Sequence, residues 1–260
     1  MYSPQPYCVQ APAYNAACHC GLIGMSPRAQ APYRISCLLA RAMPLAVLAF
    51  AVLTHACVPD ATPIGSTGFE TSFSAPTIDR SLWHSTGGPY VQVGGGLEVK
   101  GAYNRPLWLR RPLPRDVELT FFATSFSDAG DIKVELFGDG ESFAKRRSYR
   151  ASGYVLIFGG WQNRLNVIAR LDEHGADRVE GPVKPVVPGH RYAIRIRREG
   201  NTLSWFADDA LLGRLVDPKP LWGRKNRFFA FNNWEARVRF EDLRVVPLPT
   251  ANNTLARGKD

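Results

Sequence analysis

Val117-Glu-Leu-Thr-Phe121 alternates apolar and polar residues with a period of two. In an extended chain Val117, Leu119 and Phe121 share one face, and Glu118 and Thr120 share the other. A helix would scatter these residues around its axis, so the stretch reads as a strand. The same rhythm returns along the chain. Ile132, Val134 and Leu136 alternate with Lys133 and Glu135. Tyr192, Ile194 and Ile196 alternate with Ala193, Arg195 and Arg197. Val238 and Phe240 alternate with Arg237 and Arg239. Each predicts a strand with one buried and one wet face. After Phe240 the apolar parity shifts to Leu243 and Val245, which predicts a bulge near Glu241-Asp242. Gly153–Phe158 and Leu165–Arg170 read as strands buried on both faces, and Thr202–Ala207 as a further strand before a turn at Asp208-Asp209. Gly94-Gly-Gly96, Gly138-Asp-Gly140, Pro188-Gly189 and Gly200-Asn201 mark turns. No long stretch shows helical periodicity. The expected fold is all-β: a two-sheet antiparallel jelly-roll sandwich over residues 68–248.

Upstream of this domain the chain changes character. Ala42–Leu53 is a 12-residue apolar run preceded by Arg28, Arg34 and Arg41, and no Asp or Glu occurs before Asp60. The run is too short to span a bilayer comfortably and fits the apolar core of a signal peptide. It ends in Leu53-Thr-His-Ala-Cys57, which resembles a bacterial lipobox. The leucine lies one position too far from the cysteine, and His55 stands where a small residue is usual. Residues 25–56 are expected to be the signal peptide, Cys57 the lipidation site and mature N-terminus, and 57–67 a tether. Residues 1–24 fit no signal pattern and are expected to be a mis-annotated or disordered extension, Met25 being the better start. Residues 249–260 are expected to be a disordered tail. All five cysteines lie within the first 57 residues. Cys18-His-Cys20 lacks a second ligand pair at metal spacing, so no metal site is expected there. A cysteine-free domain of this size is held by packing rather than disulfides.

With three arginines in the leader, 29 Lys and Arg remain against 23 acidic residues from Cys57 onward. A basic balance favours polyanions. The blander reading is a solvated arginine-rich surface, and no nucleic-acid partner is expected.

The order of motifs carries a resemblance. Phe69-Glu-Thr-Ser-Phe73 precedes Leu82-Trp83 and Gly96-Leu-Glu-Val99. Later come Asp131–Val134, Gly153–Gly159, Asn163–Arg170, Pro188–Tyr192, Leu203–Asp208, Asp217-Pro and Phe240–Val246. This resembles the concanavalin A-like lectin/glucanase superfamily, in particular the keto-disaccharide-hydrolase-like jelly-roll domains of bacterial surface proteins. The resemblance implies the sandwich fold and a carbohydrate ligand or substrate. It does not select an activity, because the fold hosts lectins, hydrolases, lyases and spacers.

Retaining glucanases of that superfamily place alternate carboxylates on one strand as nucleophile and acid. No such run occurs here. The nearest is Glu135-Leu-Phe-Gly-Asp139-Gly-Glu141, where the glycines put Asp139 and Glu141 in a turn. Glu135, Asp139 and Glu141 are therefore the weak catalytic candidates of a carbohydrate-active hydrolase. A Ca²⁺ loop at Asp139 is a further alternative, and otherwise no cofactor is expected. Gly-x-Ser-x-Gly and metalloprotease spacings are absent. Sugar sites combine an aromatic plate with amide and guanidinium hydrogen-bonders. Trp161-Gln162-Asn163 and Asn232-Asn233-Trp234 supply those types in loops, and Arg170 resembles a recurrent arginine of the related domains. The alternative for Trp161 and Trp234 is to cap the core edges. Trp83, Trp108 and Trp205 are expected in the core. The expected function is a lipid-anchored, exported module of the bacterial cell envelope that binds a glycan without catalysis. The alternatives are a secreted or periplasmic protein, a hydrolase using Glu135 and Asp139, and polyanion binding through Arg195, Arg197, Arg237 and Arg239.

Overall fold

The computed structural model describes residues 62–145 and 149–249. The signal segment, Cys57, residues 1–24 and the tail beyond 249 lie outside the described residues.

The strands follow in chain order: β1 (Phe69–Thr71), β2 (Trp83–Ser85), β3 (Val91–Val93), β4 (Gly96–Lys100), β5 (Leu107–Leu109), β6 (Val117–Ser125), β7 (Ile132–Gly138) and β8 (Tyr154–Gly159). Then come β9 (Leu165–Arg170), β10 (Val179–Glu180), β11 (Arg191–Glu199), β12 (Thr202–Ala207), β13 (Ala210–Val216), β14 (Phe228–Asn232) and β15 (Arg237–Pro247). They form two antiparallel sheets. Sheet A runs β13-β12-β11-β6-β15-β4-β3, with β1 added beside β15, and sheet B runs β10-β9-β8-β7-β14-β5-β2. Strands distant in sequence are neighbours, as β6 with β11 and β15, or β7 with β14.

The period-two residues meet between the sheets. Phe121 faces Ile194 and Leu119 faces Ile196 across β6 and β11, all four essentially inaccessible. The β6–β15 register slips between Glu241 and Arg244, with Asp242 at φ 53°. That bulge lets Phe240 and Leu243, three apart, both point inward. Phe231 of sheet B sits at the centre of an aromatic cluster, its ring 4.4 Å from Phe240, 4.9 Å from Phe229 and 5.4 Å from Phe121. Ile64, in the stretch read as a tether, is packed into the same core, and its N–H donates to Pro112 O at 3.0 Å.

The outward faces of the two sheets differ. That of sheet A is a lattice of exposed and half-exposed ion pairs: Arg237 and Arg239 with Glu98, Arg239 with Glu241, Arg197 with Glu118 and Glu199, and Arg195 with Asp209. Each of the four arginines considered for polyanion binding thus faces a carboxylate, which cancels the field they would project. That of sheet B is covered. Every residue of β7 and β8 is buried. The expectation of a wet face for β7 is therefore corrected: Lys133 is 3% exposed and Glu135 is 0% exposed. Segments around Asn104, Tyr149 and Glu173 lie over them. Trp108 is fully buried as expected, but it points to this covered outer side rather than into the inter-sheet core, and its indole N–H donates to Ser142 O at 3.0 Å.

Candidate functional site

Strand pairing sets two rows of side chains on the outer side of sheet B. One row reads His84, Trp108, Ala230, Glu135, Val155 and Ala169 across β2, β5, β14, β7, β8 and β9. The next reads Asn232, Lys133, Ile157 and Val167. The β8 and β9 members form an apolar patch with Ala151, against which Tyr149, Trp161 and Leu165 pack. The β7 and β14 members are polar, and the boundary between the two halves is the floor of a cavity of about 420 Å³. That volume lies in the range of small-ligand sites.

The floor is one hydrogen-bonded network. Lys133 Nζ donates to Glu173 Oε2 at 2.8 Å and to Asn104 Oδ1 at 2.9 Å. Asn104 Nδ2 donates to Glu173 Oε1 at 3.3 Å. Asn232 Nδ2 donates to Glu135 Oε1 at 2.8 Å and to Asn104 Oδ1 at 3.3 Å. Tyr149 Oη donates to both Glu135 oxygens, at 2.9 and 3.0 Å. Lys133, Asn104 and Glu173 line the cavity, whereas Glu135 lies beneath it. A lysine ammonium has three donors. Two are engaged here, which leaves one for a ligand.

Burial sets the charges. Desolvation pushes the Glu135 carboxyl up to about 8, against the opposing hydrogen bond from Tyr149 and the nearby Lys133 charge. The Asp131 carboxyl, buried at the cavity wall, is pushed up to about 6 for the same reason. Glu173 goes the other way: burial works against its charge, but Lys133 holds it below the usual carboxylate range. Lys133 is raised, its desolvation outweighed by Glu173 and Asp131. At neutral pH the network therefore holds a neutral Glu135 beneath a Lys133–Glu173 ion pair.

The walls come from two loops. After β8 the chain makes a left-handed turn: Gly159, Trp161, Gln162 and Asn163 have φ of 73°, 49°, 59° and 61°. Three of these are not glycine, and each non-glycine residue in that region costs about 1–2 kcal/mol. The turn is clamped by Asn163, whose amide donates to Val186 O and whose oxygen accepts from Val186 N, both at 2.7 Å. A Cβ on Gly159 would stand 2.5 Å from Asn163 Oδ1, so this position requires glycine. The strain presents Trp161 at the cavity, with the Arg178 guanidinium 4.8 Å over its ring and His174 edge-on at 5.6 Å. Opposite stands Trp234, 40% exposed and edge-on to Tyr103 at 5.1 Å. Its backbone is held by a hydrogen bond to the Asp131 carboxylate and by Tyr103 N–H donating to Trp234 O at 2.9 Å. Gln162 joins the loops through Glu235 at 3.2 Å.

The residues singled out from the sequence thus fall in different places. Trp161, Gln162 and Trp234 line the cavity, Asn232 braces its floor and Asn163 anchors its wall. Arg170 is not brought to the cavity. It donates to Asp217 Oδ2 at 2.9 Å, beside Tyr154, and ties the ends of the two sheets together. Asp139 and Glu141 lie at the far end of β7. Asp139 Oδ1 accepts from the backbone of Glu141 and Ser142, and Oδ2 from the Ser142 hydroxyl. Among the described residues no group of three or more His, Cys, Asp or Glu is placed to hold a metal. The sequence reading missed Lys133, Glu173, Asn104, Tyr149 and Asp131.

Two antiparallel sheets with this crossover order form a jelly-roll sandwich. By sequence, no family model and no curated protein matches the chain. Solved structures do match by shape. A lichenase, a β-1,3-1,4-glucanase derived from a mouse hindgut metagenome, aligns with a TM-score of 0.51 at 10% identity, over 70% of this chain and 99% of that one. A Bacillus subtilis protein of unknown function with a galectin-like fold aligns with a TM-score of 0.51 at 10% identity, over 68% and 94%. A structure from work on endo-acting O-glycanases of the human gut microbiota aligns with a TM-score of 0.51 at 13% identity, over 70% and 99%. At such identities the likeness is one of fold.

Proposed function

We propose that this chain is an exported, non-catalytic β-sandwich module that binds carbohydrate in the cavity on sheet B and is held at the bacterial cell envelope by acylation of Cys57. The observation that carries the reading is the cavity itself. Aromatic side chains stand on two sides of a polar floor with one lysine donor to spare. Aromatic rings suit the apolar face of a pyranose, and the floor suits its hydroxyls. The jelly-roll neighbours named above include glycan-acting proteins, which supports a glycan as the ligand class. Among the described residues no helix is long and apolar enough to cross a membrane. Attachment through an acylated cysteine needs none.

The test is a glycan array followed by calorimetry on residues 58–260. A bound oligosaccharide is expected, and Trp161→Ala and Trp234→Ala should each weaken it at least tenfold, about 1.4 kcal/mol. Unchanged affinity in both variants would place the site elsewhere. Labelled palmitate should enter the full chain in a bacterial host and be lost in Cys57→Ala. Release of unlabelled protein would favour the secreted or periplasmic alternative.

One observation favours a hydrolase. Burial pushes the Glu135 carboxyl up to about 8, the direction a general acid needs. Against it, Glu135 lies below the cavity floor under Tyr149 and Asn232 and would need that cover to open. Release of reducing sugar from β-glucans, lost in Glu135→Gln, would decide for catalysis.

A further inference from the structure

A second groove, of about 380 Å³, lies where the chain enters the sandwich. Three segments form it: Pro63-Ile64, Pro112–Arg115 and Trp222–Arg227. Backbone hydrogen bonds stitch them together, Ile64 N to Pro112 O, Leu113 N to Arg227 O and Arg227 N to Gly138 O, at 3.0, 2.7 and 3.0 Å. Among the described residues the groove is lined by Arg115, Arg224 and Arg227 and by no carboxylate. Arg111 and Lys225 flank it in sequence. Among the described residues no ion pair includes any of these five cations, which stand together around one groove. Asp116, next to Arg115, is buried and accepts from Gly200 N. Trp222 projects beside the cations, 46% exposed, its inner edge packed on Phe137 at 6.1 Å.

The groove lies at the end of β7 away from the cavity. Arg227 bonds to Gly138, the last residue of β7, whereas Lys133 on the same strand floors the cavity. The five steps between them span about 17 Å. Cys57 precedes Ile64 by seven residues, a reach of at most about 25 Å. A lipid on Cys57 would therefore lie within about 25 Å of Ile64, which lines the groove.

We infer that this end of the sandwich is a membrane-seating surface: Arg115, Arg224, Lys225 and Arg227 engage the phosphates of anionic lipids and Trp222 enters the headgroup layer, so that the cavity faces away from the membrane. The orientation rests on the acylation proposed for Cys57; the lipid contact does not. Unpaired cations on a surface attract anionic leaflets, and tryptophan prefers the interface.

The experiment uses residues 58–260, which carry every core side chain from Ile64 to Val245 but no acyl group. Flotation with phosphatidylcholine vesicles containing phosphatidylglycerol should show binding that vanishes in pure phosphatidylcholine and weakens with salt. The triple variant Arg115→Glu, Arg224→Glu, Lys225→Glu should lose on the order of 100-fold, since each basic residue near an anionic surface counts for about fivefold. The charge-matched triple Lys100→Glu, Arg105→Glu, Arg214→Glu, at exposed positions elsewhere, should retain binding. Thermal midpoints of both variants show that each is folded. Absence of vesicle binding, or equal loss in the two triples, would overturn the inference. Because the fragment lacks acylation, a failed palmitate label leaves this result standing, and the reverse also holds.

Discussion

Lys133→Met should lower the unfolding free energy by about 3–5 kcal/mol, the usual cost of removing one partner from a buried ion pair. Lys133 is 3% exposed and faces three carboxyl groups, Glu173, Asp131 and Glu135. Methionine nearly matches its length and leaves little void, so the loss reports charge rather than packing. Without the ammonium, Glu173 keeps only the Asn104 hydrogen bond and must either stay charged in a dry site or take up a proton. Urea denaturation at pH 7 measures the loss. The double variant Lys133→Met, Glu173→Gln should recover most of it, because the uncompensated charge leaves with its partner. A single variant within about 1 kcal/mol of wild type, a surface pair's value, would show that water reaches the network.

The prominence of Lys133 could not be read from its own strand. Ile132–Leu136 has the alternation of a half-solvated strand, and that alternation identifies the inward residues correctly. It misleads about the outer face because solvent exposure there is decided by segments remote in sequence: Asn104 is 29 positions away and Glu173 is 40. One signal was available. Tyr154–Gly159 is apolar on both faces, so whatever covers its outer side must also reach over the next strand. A lysine and a glutamate beside such a strand are buried together. The sandwich and the Glu241 bulge were legible for the opposite reason, since the period-two pattern is local and the core demands it. Trp161 and Trp234 were singled out by type, and both line the cavity. The turn that presents Trp161 was not legible, because three consecutive non-glycine residues in the left-handed region run against local preference and are held by the Asn163 clamp to Val186. That conflict between local preference and observed backbone supports the binding role proposed for this loop.

The stability of the domain should fall between pH 6 and pH 8, and Glu135→Gln should remove most of that fall. Glu135 sits near 8 in the folded state and close to the ordinary 4.5 in the unfolded chain. Between those values the folded protein holds a proton that the unfolded chain has released. Stability therefore declines as pH rises through this window and levels off above about 8. Asp131, pushed up to about 6, adds a decline of the same sign that is complete earlier. Glu173 has the opposite sign: held low by Lys133, it contributes stability above the ordinary carboxylate range and loses it as acid protonates the pair. The optimum therefore lies on the acid side of neutrality. From pH 6 to 8 the wild type should lose on the order of 2 kcal/mol, one proton being worth at most about 1.4 kcal/mol per pH unit. The amide introduced by Glu135→Gln would keep the hydrogen bonds from Asn232 and Tyr149 with no proton to lose. His84, whose pKa is lowered chiefly by burial, acts with the reverse sign in both proteins and cancels in the comparison. Urea titrations at half-unit steps provide the measurement. A slope that persists in Glu135→Gln would assign the proton to another group, and a flat wild type would mean that the Tyr149 and Asn232 hydrogen bonds hold Glu135 ionised despite its burial. In that case the floor would carry a second fixed negative charge under the Lys133–Glu173 pair, and the cavity would favour cationic or amine-bearing sugars over neutral ones.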